Sequence, residues 1–169
     1  MESNIIDNQK LNVNIQLRPG SAAAEIKLNP GQEFTAEAGA MIAMSPGIQM
    51  STTTYKKNSG GIMKGIKRLL SGESFFLNHY KAGQQGGTVI LGATHAGDMF
   101  VKELNGENLI VQGGSYVASS PDIEINTNWQ GFKSLISKEG LFWLGIKGKG
   151  TVMVNSFGAI YPMLVNWEY

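Results

Sequence analysis

Apolar and polar positions alternate along most of this chain with the period of half-buried β-strands. Asn12-Val13-Asn14-Ile15-Gln16-Leu17 alternates, and Ala24-Glu25-Ile26-Lys27-Leu28 does so again after Arg18-Pro19-Gly20, which predicts two strands and a turn. Ile48-Gln49-Met50 and Ile123-Glu124-Ile125 keep the same period. The aromatic runs FFLNHY from Phe75 and LFWLGI from Leu141, and the runs GTVILG from Gly87 and GTVMVN from Gly150, read as further strands. Only two stretches change to a helical period. Ile62, Ile66, Leu69 and Leu70 share one face, flanked by Met63, and Phe132, Leu135 and Ile136 do the same. They predict two short amphipathic helices, near 62–72 and 131–138. Pieces of about two turns do not stand alone in water, so Leu69 and Leu135 are expected to be buried against their sheets.

The order of these pieces recurs. FTAEAGAMIAMSPGIQMSTT from Phe34 aligns with LIVQGGSYVASSPDIEINTN from Leu109, so that Gly39, Ala43, Ser45, Pro46, Ile48 and Thr52 match Gly114, Ala118, Ser120, Pro121, Ile123 and Thr127, each 75 positions on. GIKRLLSGE from Gly65 then aligns with GFKSLISKE from Gly131 at an offset of 66, with extra residues of the first copy near YKKNSGGIM. In each copy the helical piece is followed by an aromatic strand and a Gly-Thr-Val strand. The chain is therefore read as all-β, built from duplicated β-sandwich-like units with one short helix each. Residues 1–10 form a flexible tail, 11–107 hold the N-terminal strands and the first unit, and 108–169 hold the second unit and a C-terminal strand.

Composition agrees with short strands and tight turns. The 169 residues include 22 glycines and 5 prolines, and charged residues make up 16%. The net charge of +1 lacks the basic excess of a nucleic-acid binder. With no cysteine there are no disulfides, thiol nucleophiles or cysteine-bound zinc. The start MESNIIDNQK has no basic and apolar signal regions, and no apolar run reaches the roughly 18 residues of a membrane span. A cytoplasmic location is expected.

Candidate chemistry is sparse. The two histidines, His79 and His95, with Asp98 near the second, are weak metal candidates; no H-x-H pair is present, and neither metal nor cofactor is expected. Gly145, Gly148 and Gly150 around Lys147 and Lys149 suggest a phosphate loop, but the spacing differs from that motif and a strand follows, so a hairpin turn is expected. Ser115 lacks a nucleophile elbow. Lys56, Lys57, Lys64, Lys67 and Arg68 form the basic cluster, which reads as the solvated face of the first helix, or as a contact for nucleic acid or anionic lipid. Phe75, Phe76, Phe142 and Trp143 read as core, or as platforms for stacked bases.

AEAGAMIAMS, GESFFLNHY, the GGSYVA run and GLFWLGIKGKGTVMVNSFGAIY resemble the altered inheritance of mitochondria protein twenty-four family over roughly residues 25–161. The resemblance implies a fold similar to the tryptophan RNA-binding attenuation protein, trimeric bacterial members of uncharacterised role, and mitochondrial relatives linked to inner-membrane organisation. It brings no catalytic residues. It also implies a third unit after the G-x-I-Y strand, which this sequence, ending at Tyr169, is expected to lack. The expected function is a non-enzymatic scaffold or interaction protein that self-assembles through β-edges, as a trimer first and a dimer second, with residues 157–169 at or near the contact. Other proteins are possible partners. An RNA-binding module by fold analogy is the alternative, and a cupin-like metalloenzyme a more distant one.

Overall fold

The computed structural model describes residues 9–54, 76–93, 95–126 and 143–164. The predicted helices, and Leu69 and Leu135 with them, lie outside these residues. What is described is all-β, in two antiparallel sheets. Three strands open the chain: β1 (Asn12–Gln16), β2 (Ala23–Leu28) and β3 (Glu33–Glu37). A 3₁₀ turn (Ala38–Ala40) leads to β4 (Met41–Met44) and β5 (Ile48–Thr54), then β6 (Phe76–Ala82) and β7 (Gly87–Gly92). The long β8 (Met99–Gln112) runs through the expected boundary at 107/108. A second 3₁₀ turn (Gly113–Ser115) leads to β9 (Tyr116–Ser119), β10 (Glu124–Asn126) and β11 (Trp143–Asn155). One sheet has the order β1-β2-β7-β4; the other has β10-β11-β9-β3-β6-β5, with β8 also on β11.

Alternation places Ile26, Val89 and Leu91 of the smaller sheet against Phe34, Ala36, Tyr80, Ala118 and Met153 of the larger, all almost fully buried. Phe34 and Tyr80 stack at 4.6 Å between ring centroids, a flat aromatic contact that adds to their area burial. A second cluster, with Leu104, Leu144, Ile146 and Val152, gathers where β8, β10 and β11 meet. Where a strand buries one face, as β2 and β3 do, that burial holds the register, since a slip of one residue would turn its apolar side chains outward.

The strand registers recur in the two halves. Glu37 pairs with Leu77 as Gln112 pairs with Trp143, and Met50 pairs with Tyr80 as Ile125 pairs with Ile146; the first partner shifts by 75 positions and the second by 66. Met41, Ala43 and Met44 pair with Leu91, Ile90 and Val89, as Tyr116, Ala118 and Ser119 pair with Val154, Met153 and Val152. In both ladders one residue is skipped, Ile42 in the first and Val117 in the second. The Ser-Pro steps sit in matching turns. Ser45 N–H donates to Thr88 O and its Oγ accepts from Thr88 N, at 2.8 and 2.9 Å. Ser120 and Thr151 repeat both bonds at 2.9 and 3.0 Å.

Two expectations change. The glycine-lysine stretch 145–150 is not a hairpin turn but an irregularity within the single strand β11, between Lys147 and Lys149. Gly148 and Gly150 have φ of 136° and 140°, and a Cβ on Gly148 would come within 2.5 Å of Asp122 O, so only glycine fits. Gln9 and Lys10, expected in the tail, are held to the body. Gln9 O accepts from Thr151 N–H and from Ser120 Oγ at 3.0 and 2.6 Å, and Lys10 O accepts from Gln32 Nε2 at 3.0 Å.

Candidate functional site

β3, β5 and β6 lie side by side, and register alone brings their polar side chains together. Thr35 faces His79 across one ladder and Ser51 faces it across the other. Thr35 Oγ1 lies 2.9 Å from His79 Nδ1, and Thr53 Oγ1 lies 2.6 Å from Nε2. A neutral imidazole has one N–H and one bare nitrogen, so one threonine donates to the ring and the other accepts from it. In either tautomer the first keeps lone pairs to accept with, and the second keeps an O–H to give. Ser119, opposite Thr35 on β9, shares a 2.9 Å hydrogen bond with the Tyr116 hydroxyl. Burial drives the Tyr116 hydroxyl well above the usual tyrosine range, so it stays protonated.

Thr35, Thr53, His79 and Ser119 line a cavity of about 720 Å³ together with the apolar side chains Leu77, Leu109, Ile123, Ile125 and Ile146. The volume falls within the roughly 300–1,000 Å³ range of small-molecule sites. Two carboxylates on its lining have cationic partners. Glu33 meets Lys81 at 2.7 Å, and Glu124 meets Lys147 at 3.4 Å. The cavity lining thus mixes hydrogen-bonding and apolar side chains.

The three metal candidates occupy three different settings. His79 belongs to the threonine pair just described. His95 is exposed and sets its ring edge-on to Phe157 at 6.4 Å. Asp98 is buried and bound bidentately by Arg18, Nε to Oδ1 at 2.7 Å and the second nitrogen to Oδ2 at 2.9 Å, and its Oδ1 also accepts from Met99 N–H. The guanidinium bonds first, and the Met99 amide with them, hold its carboxyl below the usual carboxylate range. Among the described residues no three histidine or carboxylate side chains gather to hold a metal. The basic residues Lys56, Lys57, Lys64, Lys67 and Arg68 lie outside the described residues. Thr35, Thr53, Ser119 and Arg18 carry no mark as site residues in the sequence, because contacts between segments far apart in the chain, not chain spacing, give them their neighbours.

A second feature lies on the smaller sheet. β4 is its last strand and pairs only with β7 among the described residues. Ile42 is 62% exposed and Met44 41%. β1, at the opposite edge, carries Asn12, Asn14 and Gln16 on its exposed positions. At the end of β11 the chain crosses to Gly97 and leaves along residues 159–164, where Phe157, Tyr161, Met163 and Leu164 are strongly exposed. Among the described residues no helix is long and apolar enough to cross a membrane.

A family model described as Mitochondrial biogenesis AIM24 matches residues 13–168. An uncharacterized protein of Streptococcus pyogenes serotype M6, M6_Spy0233, is 26% identical over 164 residues, covering 94% of this chain and 65% of the relative. The crystal structure of protein SPYM3_0169 from Streptococcus pyogenes superposes with a TM-score of 0.66 at 22% identity, over 88% of this chain and 66% of that one. That second likeness is one of fold. The chain spans slightly under two-thirds of both relatives.

Proposed function

From the premise that this chain belongs to the mitochondrial biogenesis AIM24 family, we propose that it is a non-catalytic interaction protein that assembles with copies of itself, as a trimer first and a dimer second. The observation that supports this reading is the apolar run Phe157, Tyr161, Met163 and Leu164, four large side chains held out from the body within eight residues. Singly scattered apolar residues are ordinary on a surface, but four large ones exposed within one short segment support a contact there. Charged residues, the usual guard of open sheet edges, make up only 16% of the chain. Sedimentation equilibrium of the full chain tests the proposal, and an oligomer is expected at micromolar concentration. A chain ending at Gly158 is expected to associate more weakly. A full chain that sediments as a clean monomer sinks the proposal.

A further inference from the structure

The repeated registers identify a pair of edges that match one another. Inside the chain the two halves join where β9 pairs with β3, Ser119 opposite Thr35 and Ala118 opposite Ala36. By the 75-residue equivalence, β9 corresponds to β4: Met44 stands where Ser119 does, and Ala43 where Ala118 does. By the same equivalence β3 corresponds to the end of β8: Ile110 stands where Thr35 does, and Val111 where Ala36 does. β9 and β3 each have partners on both sides. Among the described residues β4 pairs with β7 alone and β8 with β11 alone. Among the described residues one strand of each matching kind is therefore left with an open side, and each of these strands carries an exposed apolar residue, Met44 at 41% and Ile110 at 39%.

We propose that β4 of one chain pairs antiparallel with residues 109–112 of β8 in a second copy, repeating the β9–β3 junction between molecules. The register follows from the internal pair: Met44 opposite Ile110 of the second copy, and Ala43 opposite Val111. This deepens the self-assembly reading and rests on it, adding which surfaces meet. A second copy suits both edges because it carries the complement of each. The pairing gives partners to open N–H and C=O groups on both strands and covers two apolar side chains at once. Each chain owns one edge of each kind, so the contact is head-to-tail: a ring uses every edge, and an open run leaves one free at each end.

The experiment uses the full chain and two variants, Met44→Lys and Ile110→Lys, each placing a charge on one edge. Both side chains are partly exposed, and melting curves close to the wild type establish that the variants fold. In sedimentation equilibrium each variant alone is expected to be monomeric. An equimolar mixture is expected to give a heterodimer and nothing larger, because the first variant keeps its β8 edge and the second keeps its β4 edge. Cross-linking gives an independent reading in a chain without cysteine. The double variant Met44→Cys, Ile110→Cys is expected to form a ladder of disulfide-linked multimers on oxidation, since directly opposed strand residues lie within disulfide reach, about 4.5–5.5 Å between Cα atoms. Wild-type oligomers that both lysine variants leave intact would overturn the edge assignment while self-assembly stands. Two monomeric variants that fail to associate on mixing would also overturn it. A monomeric wild type removes both proposals.

Discussion

Ile42 and Val117 are skipped at the same step of two equivalent ladders, yet Ile42 is 62% exposed and Val117 only 2%. Their neighbours make the difference. Val117 lies on β9, enclosed between β11 and β3, whereas Ile42 lies on β4, at the end of its sheet and against Gly92. The pair predicts opposite outcomes for similar changes. Val117→Ala should cost about 1–3 kcal/mol, roughly twice the deletion of one buried methylene. Ile42→Ala should stay within about 0.5 kcal/mol in the isolated chain. Urea melts of both variants, at a concentration where the chain is monomeric, measure the contrast.

The Arg18–Asp98 pair predicts a pH dependence. Asp98 titrates below the usual carboxylate range when folded, chiefly through its bonds to Arg18. A lowered folded value means that the ionised group adds stability above the unfolded carboxylate value of about 3.9. That contribution is lost as pH falls through the folded value. Asp98→Asn should therefore be less stable than the wild type at neutral pH, with the gap narrowing below about pH 4. Denaturant melts of both proteins at pH 7 and pH 3 check the sign; a gap that widens in acid contradicts it.

His79 sits between two hydroxyls, and its ring carries the consequence. Thr35→Val and Thr53→Val each remove one partner at nearly constant shape and should each cost about 0.5–1.5 kcal/mol. Nitrogen-15 spectra of labelled histidine should show both ring nitrogens of His79 hydrogen-bonded in the wild type, with Nδ1 losing its partner in Thr35→Val and Nε2 losing its partner in Thr53→Val. His95, whose described contact is the ring of Phe157, should not change and serves as the internal control.

Gly148 tests whether the irregularity in β11 demands glycine. At φ 136°, with Asp122 O in the place of a Cβ, Gly148→Ala should cost about 1–3 kcal/mol. Gly20→Ala, where a Cβ meets nothing within 4 Å, should be nearly neutral. Thermal melts of the two variants side by side decide the point, and equal small losses would mean that the strand relaxes around a side chain.

The alternation of residues such as Ile26 and Ile125 by itself pointed to the all-β class of the described residues, because a period of two hides one face of a strand and not of a helix. In the sequence the glycine stretch 145–150 reads as a hairpin because glycine marks a tight turn and a ladder irregularity in the same way along a chain. Only the pairing of strands far apart in sequence separates them. Gln9 reads as tail in the sequence because nothing local binds it; its partners, Ser120 and Thr151, lie more than 100 residues away. For the same reason only the tertiary structure decided the setting of His79 between Thr35 and Thr53, the tie of Asp98 to Arg18, and the burial of Val117 beside the exposure of Ile42. A periodic pattern records which way a side chain faces along its own strand. Which strand lies alongside, and whether one does, is set by long-range register, and that leaves no local trace in the chain.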